Sequence, residues 1–453
     1  MSTGRCRPAA GPVRAVPVCA RVNFACLPCA QTGSAPATHG PASQTAVVFS
    51  LLLLAVLVLA PTAQTDRPVE PRWVGTWMSA QQLVEPANMP PAPGFTDATL
   101  RQVVRVSIGG RVLRVRFSNE FGRAPLDLTA AHVARPTGGS GIDAPTDRAL
   151  TFAGRPSASI PAGTALVSDP LDFELPPLAQ LAVTIHVRGA PPEVTGHPGS
   201  RTTSYLVAGD AVSAPALSDG VLVDHWYFLA GVEVLAPAST GAVVVLGDSI
   251  TDGRGSTTNG NDRWPDVLAR RLQDAPAAAG VAVLNAGIGG NRLLRDGLGP
   301  SALARLERDV LAQPGARWLV VLEGINDIGT ASGGRAKGEP GATADDIIAA
   351  YGQIVDRARA KGLRVYGATI MPFEGFTYAG YYTQEAEADR QRVNAWIRTS
   401  GRFDAVIDFD AVTRDPAQPA RLSPAVDGGD HLHPSAAGYR IMGEAVDLKL
   451  FTR

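Results

Sequence analysis

The chain has 453 residues, a hydrophobic content of 45%, a charged content of 18% and a formal net charge of −1. That length exceeds one ordinary domain, and the apolar content is that of a folded protein rather than a disordered one. The charge balance offers no pull towards nucleic acid or an anionic membrane surface, so neither is expected as a partner.

Residues 1–65 carry Arg5, Arg7, Arg14 and Arg21 and no acidic residue, and end in the apolar run Ala46–Ala60. The run is short for a membrane span and has the length of a secretion-signal core. The segment is read as a targeting signal, with the mature protein starting after Ala60, near Gln64, and exported to the periplasm or medium without stable membrane association. An uncleaved anchor and a translation start nearer Ala46 are the alternatives. All four cysteines (Cys6, Cys19, Cys26 and Cys29) lie upstream of the run, so the mature form is expected to have none. Cys26 and Cys29 have C-x-x-C spacing, but no second pair or nearby histidine completes a metal site.

Residues 66–238 read as a domain of short strands. Gln102–Ile108 and Arg111–Ser118 flank Gly109-Gly110 and predict a hairpin. Val104, Val106 and Ile108 alternate with Arg105 and Ser107, and Leu113, Val115 and Phe117 alternate with Arg114 and Arg116, which predicts one apolar face and one basic face, read as solvated, with a ligand-reading face as the alternative. Leu181, Val183, Ile185 and Val187 repeat the period of two, and His225–Leu235 is a further strand candidate. Pro and Gly separate the runs, and the reading is an antiparallel, jelly-roll-like β-sandwich.

From residue 239 the period changes. Ala242–Leu246 is a continuous Val-rich run, as expected of a strand buried on both faces of a parallel sheet. Trp264, Val267, Leu268 and Leu272 form a helical stripe; Ala282–Asn285 is a strand, Ala302–Val310 a helix and Trp318–Glu323 a strand. Thr343 with Asp346 predicts a capped helix start, with Ile347, Tyr351, Ile354 and Val355 on its apolar face. Leu363–Ile370 returns as a strand. A helix over Ala386–Thr399, a strand over Ala405–Phe409 and a helix after Pro434 complete a three-layer α/β/α sandwich with a parallel sheet over 239–453.

Gly247-Asp248-Ser249 follows the first of these strands, placing a hydroxyl where open α/β sheets carry their reactive groups. Three further blocks come in order: Asn285-Ala286-Gly287-Ile288-Gly289-Gly290-Asn291, then Gly324-Ile325-Asn326-Asp327, then Asp430-His431-Leu432-His433-Pro434. Together these four blocks resemble the signatures of the GDSL (SGNH) hydrolases, with the first as GDSI. The resemblance runs from Gly241 to the C-terminus and implies a flavodoxin-like fold and ester hydrolysis without cofactor or metal.

A serine hydroxyl needs a base to take its proton. His433 is that candidate, and Asp430, three residues earlier, can hold the other ring nitrogen. His431 is a rival base; the resemblance favours the histidine followed by proline. By the same resemblance the backbone N–H groups of Ser249 and Gly290, with Gly289 the alternative for that slot, and the amide of Asn326 form an oxyanion hole. Asp248 and Asp252, beside the serine, are expected to tie the turn by accepting backbone N–H bonds. Five aromatic residues, Phe373, Phe376, Tyr378, Tyr381 and Tyr382, fall in one loop expected at the same sheet edge, where rings can stack on a sugar or pin the loop. The expected substrate is a small-molecule or polysaccharide ester with a short acyl group, foremost an O-acetylated carbohydrate. A lipase or acyltransferase of the same family, and a catalytically silent carbohydrate-binding protein, are the competing readings.

Overall fold

The computed structural model describes residues 70–335 and 341–452. The apolar run, the four cysteines and the expected cleavage site fall outside the described residues.

Each early strand has one apolar face to bury, and two antiparallel sheets packed face to face meet that need. One sheet carries Arg72–Met78, Leu229–Ala236, Gly110–Ser118 and Ala165–Val167 in that order. The other carries Val221–Val223, Ser204–Ala208, Ala98–Arg105, Gln180–Gly189, Leu126–Ala134 and Arg148–Ala149. Leu113, Val115 and Phe117 of the first sheet, and Leu181, Val183, Ile185 and Val187 of the second, are fully buried in the core.

Two expectations fail here. The hairpin at Gly109-Gly110 does not form, because Ala98–Arg105 and Gly110–Ser118 belong to different sheets. The chain between them crosses the sandwich, held by Ser107 N donating to Thr76 O at 2.9 Å and Ile108 N to Thr76 Oγ1 at 2.9 Å. Gly109 serves a close approach instead: a Cβ there would lie 2.3 Å from Leu175 O. Period-two alternation fixes which residues face the core, but it is the same whether the next strand pairs alongside or packs across. The basic face is likewise not simply solvated. Arg114 Nε and Arg116 Nη2 donate to the buried Glu233 carboxylate of the adjacent strand at 2.6 and 2.5 Å, and Arg114 also stacks on Trp73.

In the second half the parallel sheet has the order Val281–Gly287, Gly241–Gly247, Ala316–Leu322, Arg364–Ala368, Ala405–Ile407. Numbered by sequence this is 2-1-3-4-5, the flavodoxin-like order, with its switch point between the Gly241–Gly247 and Ala316–Leu322 strands. Every residue of Gly241–Gly247 is buried, as a strand covered on both faces requires. The helix Trp264–Asp274 packs with Ala436–Ala445, and the helix Ala344–Ala360 packs with Gln384–Thr399. Thr343 and Asp346 form the predicted capping box: Thr343 Oγ1 accepts from Asp346 N, and Asp346 Oδ2 accepts from Thr343 N. Three helices were not read from the periodicity: the short Phe409–Thr413, where the expected strand ends at Ile407, the one-turn Ser249–Asp252 and the longer Ile325–Arg335. The last two begin at a signature block, where residues are set by the site rather than by an apolar stripe.

The two sandwiches, over the described residues, pack into one compact unit. Val283 N, on the edge strand of the parallel sheet, donates to Ser107 Oγ of the β-sandwich at 3.0 Å, and Gly75 N donates to Pro314 O at 2.9 Å. The antiparallel half thus covers a strand edge that would otherwise stay open.

Candidate active site

Ser249 sits directly beyond the Gly241–Gly247 strand, as the first residue of the helix Ser249–Asp252. Asp248 caps that helix through Oδ1, which accepts from Ile250 N at 2.9 Å. Gly247 leaves room for the tight turn, since a Cβ there would lie 2.2 Å from Thr251 Oγ1. The turn therefore places the hydroxyl at the switch point of the sheet.

His433 reaches this hydroxyl from 184 residues away in sequence: Nε2 lies 2.8 Å from Ser249 Oγ. Its Nδ1 lies 2.7 Å from Asp430 Oδ2, while Asp430 Oδ1 accepts the backbone N–H groups of His433 at 2.8 Å and Leu432 at 3.0 Å. Burial alone would raise the Asp430 carboxyl, but the bonds from the His433 ring and from these backbone donors outweigh it and hold the group well below the usual carboxylate range. An ionised Asp430 keeps the proton on Nδ1 and leaves Nε2 as the acceptor facing the serine. Ser249 and His433 are themselves buried, 6% and 7% exposed.

His431 does not join them. Its backbone is left-handed, with φ of 66°, and its ring turns to Asp427, Nδ1 to Oδ2 at 2.5 Å.

Gly290 adopts φ of 65°, a conformation that favours glycine, and its N–H makes no hydrogen bond among the described residues. Asn326 donates one amide hydrogen to Asn291 O at 2.9 Å. That carbonyl can only accept, which fixes Nδ2 as the donor end and leaves its second hydrogen free, while Oδ1 faces Tyr381 OH at 2.8 Å, a hydroxyl that also lies 3.2 Å from Ile325 O. Ser249, Gly289, Gly290, Asn326 and His433 all line one cleft of about 760 Å³.

Beneath the cleft lies a buried ionic cluster that sequence reading missed. Arg305 donates to Gly247 O at 3.0 Å, Ala286 O at 2.6 Å and Asn291 Oδ1 at 2.8 Å, bracing the first two signature blocks together. Glu323 lies 3.5 Å from the same guanidinium. Burial, with the neighbouring carboxylates, raises Glu323 well above its ordinary value and brings Asp248 to about 7; Arg305 opposes both shifts. Burial also brings Asp327 up to about 6, against hydrogen bonds from the Leu293 and Leu294 N–H groups.

Asp248 ties the turn as expected, but Asp252 does not. Its Oδ1 lies 2.8 Å from Nε2 of His197, a residue of the antiparallel half whose Nδ1 meets Ala80 O at 2.8 Å. The partner sits 55 residues upstream, so no local pattern pointed to it. Nor did any local signal mark the other residues that the antiparallel half contributes to the cleft, Gln82, Glu85, Asn88, Arg201 and His225. Of the five loop aromatics, Phe376, Tyr378 and Tyr381 line the cleft, whereas Phe373 is fully buried and packs edge-on to Tyr382.

A serine at the switch point of a flavodoxin-like sheet, hydrogen-bonded to a histidine on a late loop, defines a class: the serine hydrolases built on a three-layer α/β/α sandwich. Residues 245–441 match the model of the GDSL-like lipase/acylhydrolase family, and this part of the chain is such a domain. No curated protein matches the chain. Among solved structures, a putative lipolytic G-D-S-L protein from Desulfitobacterium hafniense DCB-2 is 21% identical, with 46% of this chain and 97% of that chain covered and a TM-score of 0.34. An acetyl xylan esterase variant from Geobacillus stearothermophilus is 24% identical, with 46% and 94% covered and a TM-score of 0.35. A carbohydrate acetylesterase from Sinorhizobium meliloti is 18% identical, with 46% and 96% covered and a TM-score of 0.36.

Proposed function

We propose that the protein is an exported serine esterase that works through an acyl-enzyme and removes short acyl groups, acetyl foremost, from a carbohydrate alcohol. The observation that carries this reading is the continuous chain Ser249 Oγ, His433 Nε2, His433 Nδ1, Asp430 Oδ2, with contacts of 2.8 and 2.7 Å, opening into the cleft.

His433 Nε2 takes the serine proton as Oγ attacks the ester carbonyl. The carbonyl oxygen becomes an oxyanion facing the N–H groups of Ser249 and Gly290 and the free hydrogen of the Asn326 amide. Collapse breaks the bond to the alkoxy oxygen, which leaves with the proton from His433. Water then repeats the sequence: His433 takes its proton, hydroxide adds to the acyl-enzyme, and Ser249 Oγ departs reprotonated. Asp430 stabilises the imidazolium in both halves.

Short acyl groups fit a cleft whose lining has few large apolar residues, Leu298, Phe376, Tyr378, Tyr381 and Leu432, among many polar ones. Phe376 and the exposed Tyr378 offer ring faces suited to stacking on a sugar. The test compares kcat/KM for acetyl, butyryl and long-chain esters and for acetylated sugars. Acetyl esters should lead. A preference of about tenfold or more for long chains would indicate an apolar groove and a lipase, since each buried methylene can contribute roughly 0.8 kcal/mol.

A further inference from the structure

The charged residues of the cleft come from both halves of the molecule, and their pairing is one-sided. Arg201, Arg254 and Arg292 all line the cleft together with Ser249 and His433. Among the described residues none of the three guanidinium groups is in an ion pair. The two acids of the lining have partners of other kinds: Glu85 accepts from the neutral amides of Gln82 Nε2 at 2.6 Å and Asn88 Nδ2 at 2.9 Å, and Asp252 meets His197 through Oδ1, while its Oδ2 is buried without a hydrogen bond. Asp327, the carboxylate whose field Arg292 feels, spends its oxygens on the Leu293 and Leu294 N–H groups.

Arg201 carries the strongest sign of a missing partner. Its Nε is buried without a hydrogen bond, an orphaned charged donor of the kind that structures otherwise satisfy. Its backbone is left-handed, with φ of 50°, unusual for a residue with a long side chain and fixed by Asn259 N donating to Arg201 O at 2.9 Å. Arg254 follows the turn that closes the nucleophile helix, and Arg292 follows the glycine block, so three separate segments bring arginine to one opening.

We propose that the alcohol portion of the substrate is anionic, and specifically that the cleft takes an acetylated sugar acid whose carboxylate is received by Arg201, Arg254 and Arg292. The proposal rests on the esterase reading and names its substrate class. Guanidinium groups match a carboxylate in shape and charge, and an anion is the ligand that would complete three guanidinium groups that outnumber the two carboxylates of the lining and pair with neither.

The test uses the full-length mature protein and an O-acetylated methyl galacturonoside, supplied as the free acid and as its uncharged methyl ester. The acid is expected to have a kcat/KM higher by about tenfold or more at low salt, with the advantage shrinking as ionic strength rises. Arg201→Gln, Arg254→Gln and Arg292→Gln, singly and combined, should bring the acid-to-ester ratio towards one. A ratio near one in the unaltered protein, or a ratio untouched by the substitutions and by salt, overturns the proposal. A greater preference for O-acetylglycerol 3-phosphate over both sugars overturns the sugar-acid assignment and puts a phosphate at the arginines. Calorimetric binding of a galacturonate trisaccharide to Ser249→Ala protein reads the site without turnover. Salt-sensitive binding is expected, and no binding overturns the proposal. Binding without hydrolysis of any ester by the unaltered protein would instead sink the esterase reading and leave the anion site standing.

Discussion

His197 Nε2 lies 2.8 Å from Asp252 Oδ1, joining the antiparallel sandwich to the one-turn helix that begins at Ser249. Both side chains are buried, 4% and 3% exposed. Because His197 Nδ1 faces the carbonyl of Ala80, that nitrogen carries a proton, and the contact to Asp252 needs a second one. Removing one partner leaves a polar or charged group buried alone. His197→Ala should therefore cost about 3 kcal/mol or more of unfolding free energy in urea, and adding Asp252→Ala should cost much less than the sum of the two single changes. Additive losses would mean that the contact does not couple the two halves.

Ser249→Ala and His433→Ala should each abolish ester hydrolysis while the fold survives. Their double variant should lose little more, because members of such a chain act as a unit. Asp430→Ala should be less severe, since Asp430 makes no bond to substrate. His431→Ala should retain most activity, its ring being engaged by Asp427. Single-turnover rates on an acetyl ester check all four, and a dead His431→Ala beside an active His433→Ala would reverse the assignment of the base.

Tyr381→Phe removes the hydroxyl that holds Asn326 Oδ1. The amide keeps its bond to Asn291 O but loses the contact at its other end, so its second hydrogen is held less firmly on the developing oxyanion. The expected result is a fall in kcat of about tenfold with KM little altered, well short of the loss on removing an oxyanion donor outright. Equal changes in kcat and KM would point to a packing role for the ring instead.

Asp248 has a folded-state pKa of about 7 against an ordinary value of 3.8, raised chiefly by burial. Between those values the folded protein binds more protons than the unfolded chain, so this group's contribution to stability is full below its ordinary pKa and is lost as pH rises through about 7. Asp248→Asn keeps an oxygen for Ile250 N and removes the titration. Its Tm should fall less than that of the unaltered protein between pH 5 and pH 8. An identical pH dependence in the two proteins would assign the effect to Glu323 or Asp327.

Much of this protein is legible along the chain because the signals are local. An all-apolar run ending in Gly247-Asp248-Ser249 marks a buried parallel strand with a hydroxyl at its end, and the alternation of strand and helix after it follows from hydrophobic period. The capping box at Thr343 is complete within four residues. The spacing of Asp430 and His433 on one short loop already holds the ring contact between them.

What lies between distant segments had to wait for tertiary structure. The 2.8 Å contact of Ser249 with His433 spans 184 residues, and only the order of strands in the sheet brings the two loops to one edge. The crossing at Gly109 could not be told from a hairpin, because alternation records which face is buried and not what buries it. Arg114, Arg116 and Glu233, and likewise Arg305 and Glu323, look like ordinary charges until the neighbour that desolvates or neutralises each one is in place. The sequence set the chemistry each segment can offer through its side chains and local backbone. Which of those groups meet, and which are left facing the cleft as Arg201, Arg254 and Arg292 are, was decided by packing alone, since non-local contacts leave no periodic trace in the chain that makes them.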